Sequence, residues 1–280
     1  MRSLILLLIA TPAIAQSDAA SLKKALVLHA PFDGSANAAF AKGDPVLYST
    51  QSTKRTDAEA GLKGDVKLLA DAGRTGGCLH FTKKGKWFPF FKGEGNFSIP
   101  EAGKPFAGTV SFWMKLNPAK DLEPGFVDPI QITDKKWNDA SFFLDFTKEN
   151  PRQFRLGCYS NYKFWNPKAL KYEEVPDSKR PLGIVKKLSF SNDQWTHVAF
   201  TWEDFNTNKP GRAVLYLDGR PAAKVDRPQR FDWNPKDVSI MLGIGYVGKI
   251  DDLSVFNRAL TEAELQRLFK MPDGVVSLYR

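Results

Sequence analysis

The stretch DQWTHVAFTWEDFNTNKPGRAVLYLDGRPAAKV, residues 193–225, decides the fold. Trp195–Trp202 and Ala213–Leu217 are extended, period-two runs, the mark of strands with one buried face. After the second run, Asp218-Gly219 readily takes the positive φ angles of a two-residue hairpin turn. A strand therefore turns back on itself at Asp218.

The same rhythm extends in both directions. Leu26–Phe32, Cys78–Thr82, Gly108–Leu116, Ser141–Thr147, Phe154–Tyr159, Val238–Leu242 and Lys249–Phe256 read as further strands, punctuated by Gly, Pro, Asn and Asp. So many strands without helices between them argue against a parallel α/β sheet and for an all-β fold, a two-sheet antiparallel sandwich. One short C-terminal helix is expected: Thr261 and Glu264 fit a capping box, and the helix should run to about Lys270. Residues 117–140 and 160–187 break the rhythm and read as long loops suited to specificity. Residues 41–71 are poorly patterned and should hold loops with one short strand.

At the N-terminus, Arg2 precedes an apolar run from Leu4 to Ala10, and Ala13-Ile14-Ala15 supplies a small-x-small cleavage pattern. Residues 1–15 are read as a signal peptide, 16–24 as a flexible leader, 25–270 as one domain and 271–280 as a tail. The expected location is secreted or periplasmic. No stretch approaches the roughly 20 apolar residues of a membrane span. An apolar share of 42% and a charged share of 25%, with 21 Phe and 7 Trp, suit a globular core rather than disorder. The 40 Lys+Arg against 31 Asp+Glu give a formal charge of +9, which favours anionic partners or simply solubility. The two cysteines, Cys78 and Cys158, are a disulfide candidate in an oxidising compartment, although their spacing says nothing about distance.

The order of motifs resembles the laminin-G-like, jelly-roll domains of the concanavalin A-like lectin/glucanase superfamily. Leu26–Gly34 is similar to the opening strand with its aromatic-Asp-Gly turn, and Gly73–Phe81 to the glycine-rich lead into a strand ending in Phe. Gly108–Lys115 is similar to a central strand, Asp193–Trp202 with Leu215–Arg220 is the most specific pair, and Gly248–Thr261 closes the match. The resemblance covers about residues 25–270 and implies two antiparallel sheets face to face, with the first and last strands as neighbours. Members serve as sugar-binding modules, adhesion domains and structural appendages, so fold alone does not choose an activity.

Two candidate sites stand out. Alternation places Asp251 on the face of Leu253 and Val255, and a half-buried carboxylate needs partners. With the Asp33-Gly34 turn it would make a metal-binding corner for one structural calcium ion, as members of the family often carry. The alternative is that Asp33 caps its own turn while Asp251 accepts backbone amides. The second site is the basic, aromatic stretch 159–187, where Tyr162, Lys163, Trp165 and Tyr172 offer flat rings beside ammonium groups. That chemistry suits a carbohydrate, above all a sulfated or uronic-acid polysaccharide. The alternative is that the rings seal the sandwich edge.

Catalysis finds less support. Jelly-roll glucanases place alternating acids on one strand, and retaining glycosidases need carboxyls about 5–5.5 Å apart. Glu173-Glu174, Glu203-Asp204 and Asp251-Asp252 are adjacent pairs that point to opposite faces. His29, His80 and His197 lie far apart without zinc spacing, and no phosphate loop, nucleophile elbow or nucleic-acid motif occurs. The sequence thus reads as a secreted, non-catalytic, lectin-like domain with no nucleic-acid partner. The alternatives are an adhesion domain for a cell-surface protein, and a glycoside hydrolase or lyase with an unrecognised site.

Overall fold

Residues 12–101 and 103–280 are described in this computed structural model, with side chains from Ala19 onward. The apolar run Leu4–Ala10, on which the signal-peptide expectation rests, lies outside them. Along the described chain run α1 (Pro12–Ala25), β1 (Leu26–Ala30), β2 (Phe40–Ala41), β3 (Tyr48–Thr50), β4 (Glu59–Ala60), β5 (Val66–Leu69), β6 (Cys78–Phe81), β7 (Phe88–Lys92) and β8 (Phe106–Lys115). After α2 (Pro118–Asp121) come β9 (Val127–Thr133), β10 (Ser141–Phe146), β11 (Phe154–Tyr159), α3 (Tyr162–Trp165) and β12 (Leu182–Ile184). Then follow β13 (Thr196–Phe205), β14 (Gly211–Leu217), β15 (Arg220–Arg227), β16 (Ser239–Ile244), β17 (Gly248–Phe256) and α4 (Glu262–Lys270).

The strands form two antiparallel sheets. One runs β15-β14-β13-β8-β17-β1-β2, with β6 beside β17 and β5 beside β6. The other runs β12-β11-β10-β9-β16-β7-β3-β4. The first strand lies beside the last, as the resemblance implied, with His29 opposite Ser254. The hairpin at Asp218 forms as read: Asp218 and Gly219 have φ of 50° and 73°, and Leu217 pairs with Arg220. The capping box also forms, with Thr261 Oγ1 accepting from Glu264 N at 3.2 Å.

Between the sheets the alternate side chains of each strand interdigitate. Ile130, Ile132, Phe142, Leu144, Phe154 and Leu156 from one sheet meet Val110, Phe112, Val198, Phe200, Trp202, Leu253 and Val255 from the other. Each such side chain contributes roughly 1.5–3 kcal/mol by leaving water. Gly108 lacks a Cβ because Trp202 fills its place, 2.1 Å from where that carbon would stand.

Several expectations are corrected. The run 117–140 is not a single loop: β9 passes through it, and Pro129 hid the strand because proline interrupts a ladder. The ladder accommodates it with a register shift between Leu144 and Phe146 of β10. Phe88–Lys92 forms strand β7, and residues 41–71 hold several two- to four-residue strands. The expected flexible leader, residues 16–24, lies within helix α1, with Leu22 and Ala25 buried in a cluster with Phe256, Leu260 and Leu278. The tail is ordered too: Val275, Val276 and Leu278 are buried, and Tyr279 Oη lies 2.6 Å from His29 Nδ1. No described helix is long and apolar enough to cross a membrane.

Candidate functional site

The outer face of the second sheet carries the site. Because Phe142, Leu144, Leu156 and Ile130 point into the core, their neighbours Phe143, Asp145, Arg155 and Gln131 point outward. Register then sets the rows. Asp145 stands directly opposite Arg155, and Asp128 opposite Ile244. In the next row, Gly157, Phe143, Gln131 and Met241 are successive partners across β11, β10, β9 and β16. Gly157 has to be glycine for space: a Cβ there would lie 2.2 Å from Phe143 Cζ. The Phe143 ring therefore lies flat over β11 and stacks on Tyr159, centroids 5.5 Å apart.

Loops raise walls around this floor. Trp137 meets Phe143, Tyr159 and Tyr172 edge-to-face at 6.1, 5.7 and 5.2 Å. Opposite it stands Phe126, with the Arg155 guanidinium 5.4 Å from its ring centre. Together with Thr53, Glu173 and Ile244 these residues enclose a cleft of about 460 Å³. Phe126 and Trp137 are 49% and 40% exposed, whereas Gln131 at the floor is 3% exposed. Water-facing aromatic rings above a buried polar floor are what a polar ligand with apolar faces requires.

The polar groups divide by commitment. Arg155 Nε donates to Asp145 Oδ1 at 2.9 Å and Nη2 donates to Oδ2, a two-pronged pair. Burial pushes the Asp145 carboxyl up, against the pull of Arg155. Asp128 is pushed well above the usual carboxylate range, by burial first and then by the charge of Asp145. Neither the Asp128 carboxyl nor the Gln131 amide is hydrogen-bonded to a described side chain or backbone group. They are the groups left over for a ligand.

Of the four aromatic and basic residues singled out in the sequence, Tyr172 lines this cleft. Trp165 instead donates Nε1–H to Asn138 O at 2.8 Å and packs edge-on against Tyr159. Tyr162 accepts from Asn166 Nδ2 at 3.0 Å, and Lys163 is exposed in α3. Tyr162 and Trp165 brace the loop behind the cleft wall. The residues that sequence reasoning missed are Phe126, Asp128, Gln131, Trp137, Phe143, Asp145 and Arg155. A signal for two of them was present: pairing the strands 141–146 and 154–159 as one hairpin puts Asp145 across from Arg155.

The Asp33/Asp251 corner is differently built from the expectation. A register shift between Asp251 and Ser254 flips the alternation, so Ile250 joins Leu253 in the core and Asp251 faces away with its partner Trp113. Asp251 is nonetheless buried beneath the loop 73–77. Its Oδ2 accepts from Arg74 N at 2.6 Å and its Oδ1 from Asp252 N at 2.8 Å, while Asp33 Oδ1 accepts from Gly77 N at 2.7 Å. Burial, then the charge of Asp252, pushes Asp251 up to about 8. Three of the four carboxylate oxygens thus serve backbone amides. Among the described residues no group of three or more His, Cys, Asp or Glu is placed to hold a metal ion.

The disulfide expectation is overturned. Cys78 and Cys158 are free and buried, on β6 and β11 of opposite sheets. Burial pushes the Cys78 thiol up to about 11 and Cys158 well above its ordinary value.

A family profile described as the concanavalin A-like lectin/glucanases superfamily matches residues 91–266. A search of curated proteins finds no match. Among solved structures, domain 4 of AbnA, a GH43 extracellular arabinanase from Geobacillus stearothermophilus, solved with arabinotriose, aligns with TM-score 0.54 and 15% identity over 88% of this chain and 98% of that one. The botulinum neurotoxin serotype D ligand-binding domain, solved with N-acetylneuraminic acid, aligns with TM-score 0.54 and 13% identity over 90% of this chain and 52% of that one. The receptor-binding domain of the C/D mosaic serotype gives 0.55 and 12% over 89% and 51%. The chain spans about half the length of the toxin domains, and identities this low establish a shared fold.

Proposed function

The chain belongs to the concanavalin A-like lectin/glucanases superfamily, and from that premise we propose that it is an exported carbohydrate-binding module holding a glycan in the cleft between Phe126 and Trp137. One observation carries the reading: exposed aromatic rings stand above a floor where the Gln131 side chain lines the cleft without a protein hydrogen-bond partner among the described residues. A polar group that lines a cleft with its donors and acceptors uncommitted is free to fix the orientation of a polar guest. A sugar ring supplies both halves of the match, apolar C–H faces for Trp137 and Phe126 and hydroxyls for Gln131 and Asp128. That the arabinanase domain was solved with arabinotriose and the serotype D toxin domain with a sialic acid supports it.

A glycan array tests the proposal, run with the wild type and with Trp137→Ala. Capture of a defined glycan by the wild type, weakened at least about tenfold by the substitution, is expected. An empty array with folded protein, or capture indifferent to Trp137, would sink the proposal and direct the search to a protein partner.

A second reading rests on Asp128. Burial pushes the Asp128 carboxyl well above its ordinary range beside a second carboxyl, and a pair of carboxyl groups set apart by their surroundings is the arrangement glycoside hydrolases use for acid catalysis. Against it, Asp145 has both oxygens held by Arg155 and is poorly free to act as base or nucleophile. Release of reducing sugar by the wild type and its absence in Asp128→Asn would establish hydrolysis instead.

A further inference from the structure

The protein as a whole is basic, with 40 Lys+Arg against 31 Asp+Glu, yet its cleft is not. The carboxyl groups lining it are Asp128, Asp145 and Glu173, and the cation lining it is Arg155. That cation is ion-paired: Nε and Nη2 of the guanidinium donate to Asp145, opposite it in the ladder. Two other cations stand nearby. Arg180 lies over the Tyr172 ring at 4.3 Å but is bonded to Asp177 and to Tyr172 O. Lys148 stands at the rim, 6.0 Å from the Phe126 ring centre.

An anionic group entering this floor would lose its water and meet a guanidinium whose charge Asp145 already balances. Burying an unpaired charge is among the costliest steps a binding site can take, and a carboxylate already in place adds repulsion. A hydroxyl would meet the opposite situation, with the Gln131 amide and the Asp128 carboxyl lacking hydrogen-bond partners among the described residues. Resting on the carbohydrate-binding reading above, we infer that the cleft selects uncharged sugars, and that the Asp145–Arg155 pair is the device that excludes sulfated and uronic-acid units by keeping the floor's cation occupied. The net positive charge of the surface then concerns solubility and long-range attraction, which does not pass through the site.

The test uses polymers that differ in charge alone: methyl-esterified against de-esterified homogalacturonan oligosaccharides, dextran against dextran sulfate, and cellulose against carboxymethylcellulose. Binding is measured near 0.15 M salt, where surface attraction is screened beyond about 8 Å. The full chain should hold a neutral member at least about tenfold more tightly than its charged counterpart, and lose it in Trp137→Ala. Asp145→Asn frees Arg155 and should narrow that preference at least about threefold by admitting the charged member; circular dichroism establishes that the variant folds. If it does not fold, the wild-type ratio still decides. Charged members held in the cleft as tightly as neutral ones, with the same dependence on Trp137, overturn the selectivity while leaving the binding reading intact. Capture of no member, or capture indifferent to Trp137, overturns the binding reading and this inference with it.

Discussion

Gly157→Ala is the smallest change that reports on the cleft floor. Gly157 has no left-handed φ, so alanine suits its backbone and the effect is one of space. The new methyl carbon would stand 2.2, 2.3 and 2.5 Å from Cζ, Cε1 and Cε2 of Phe143, where ordinary contact is roughly 3.5–4 Å. The Phe143 ring must therefore lift by about 1 Å or more, and it is pinned between Tyr159 and Trp137. Overpacking of this kind costs about 1–3 kcal/mol, and the lower entropy of the unfolded alanine chain returns about 0.4–1 kcal/mol. A net loss of about 1–2 kcal/mol corresponds to a Tm lower by roughly 2–8 °C for a domain of this size. Lifting the ring also closes the floor, so glycan affinity should fall at least about tenfold. Thermal melts and calorimetric titration measure the two effects, and Phe143→Ala in the same background separates them. With the ring removed, adding Gly157→Ala should cost almost nothing. Wild-type Tm and affinity in Gly157→Ala, or full additivity in the double variant, would refute the stacked floor.

Three further outcomes follow from other parts of the molecule. His197 is buried beside Ser111, Trp113 and Phe269, and burial, then the Arg74 charge, lowers its pKa to about 3. Because the unfolded chain binds this proton near 6.5, stability is full above that pH and drains by about 3–5 kcal/mol as pH falls to about 3. Urea unfolding of wild type and His197→Gln at pH 7 and 4 should show the steeper acid loss in the wild type, and equal losses would refute it. Both thiols should resist Ellman's reagent in the native state and both should react in guanidinium without reductant; a denatured count below two would restore the disulfide. Melting midpoints with and without EDTA should coincide, since backbone amides hold the Asp33 and Asp251 carboxylates; a drop in EDTA reversed by calcium would reinstate the metal corner.

The amino-acid sequence by itself determined the sandwich, because the information is local. The extended run Trp195–Trp202, the Asp218-Gly219 turn and the Thr261–Glu264 cap each act within a few residues and each forms, although Thr196–Trp202 is buried on both faces rather than one. Where local signals conflicted, the reading failed: Pro129 hid β9, and the irregularity at Asp252, with φ of 52°, turned Asp251 to the other face. Leu22 and the tail around Leu278 looked idle because the apolar surface they cover is assembled from β17, α4 and each other. The cleft lies at the far end of this scale. Asp128, Gln131, Phe143, Asp145 and Arg155 come from three strands, and register alone decides that they share one face. Whether Arg155 is free or occupied, and whether Gln131 has a partner, are facts of side-chain proximity that no spacing encodes. Tertiary structure settled them because a strand fixes only which way its side chains point, while the neighbouring strands decide what each one meets.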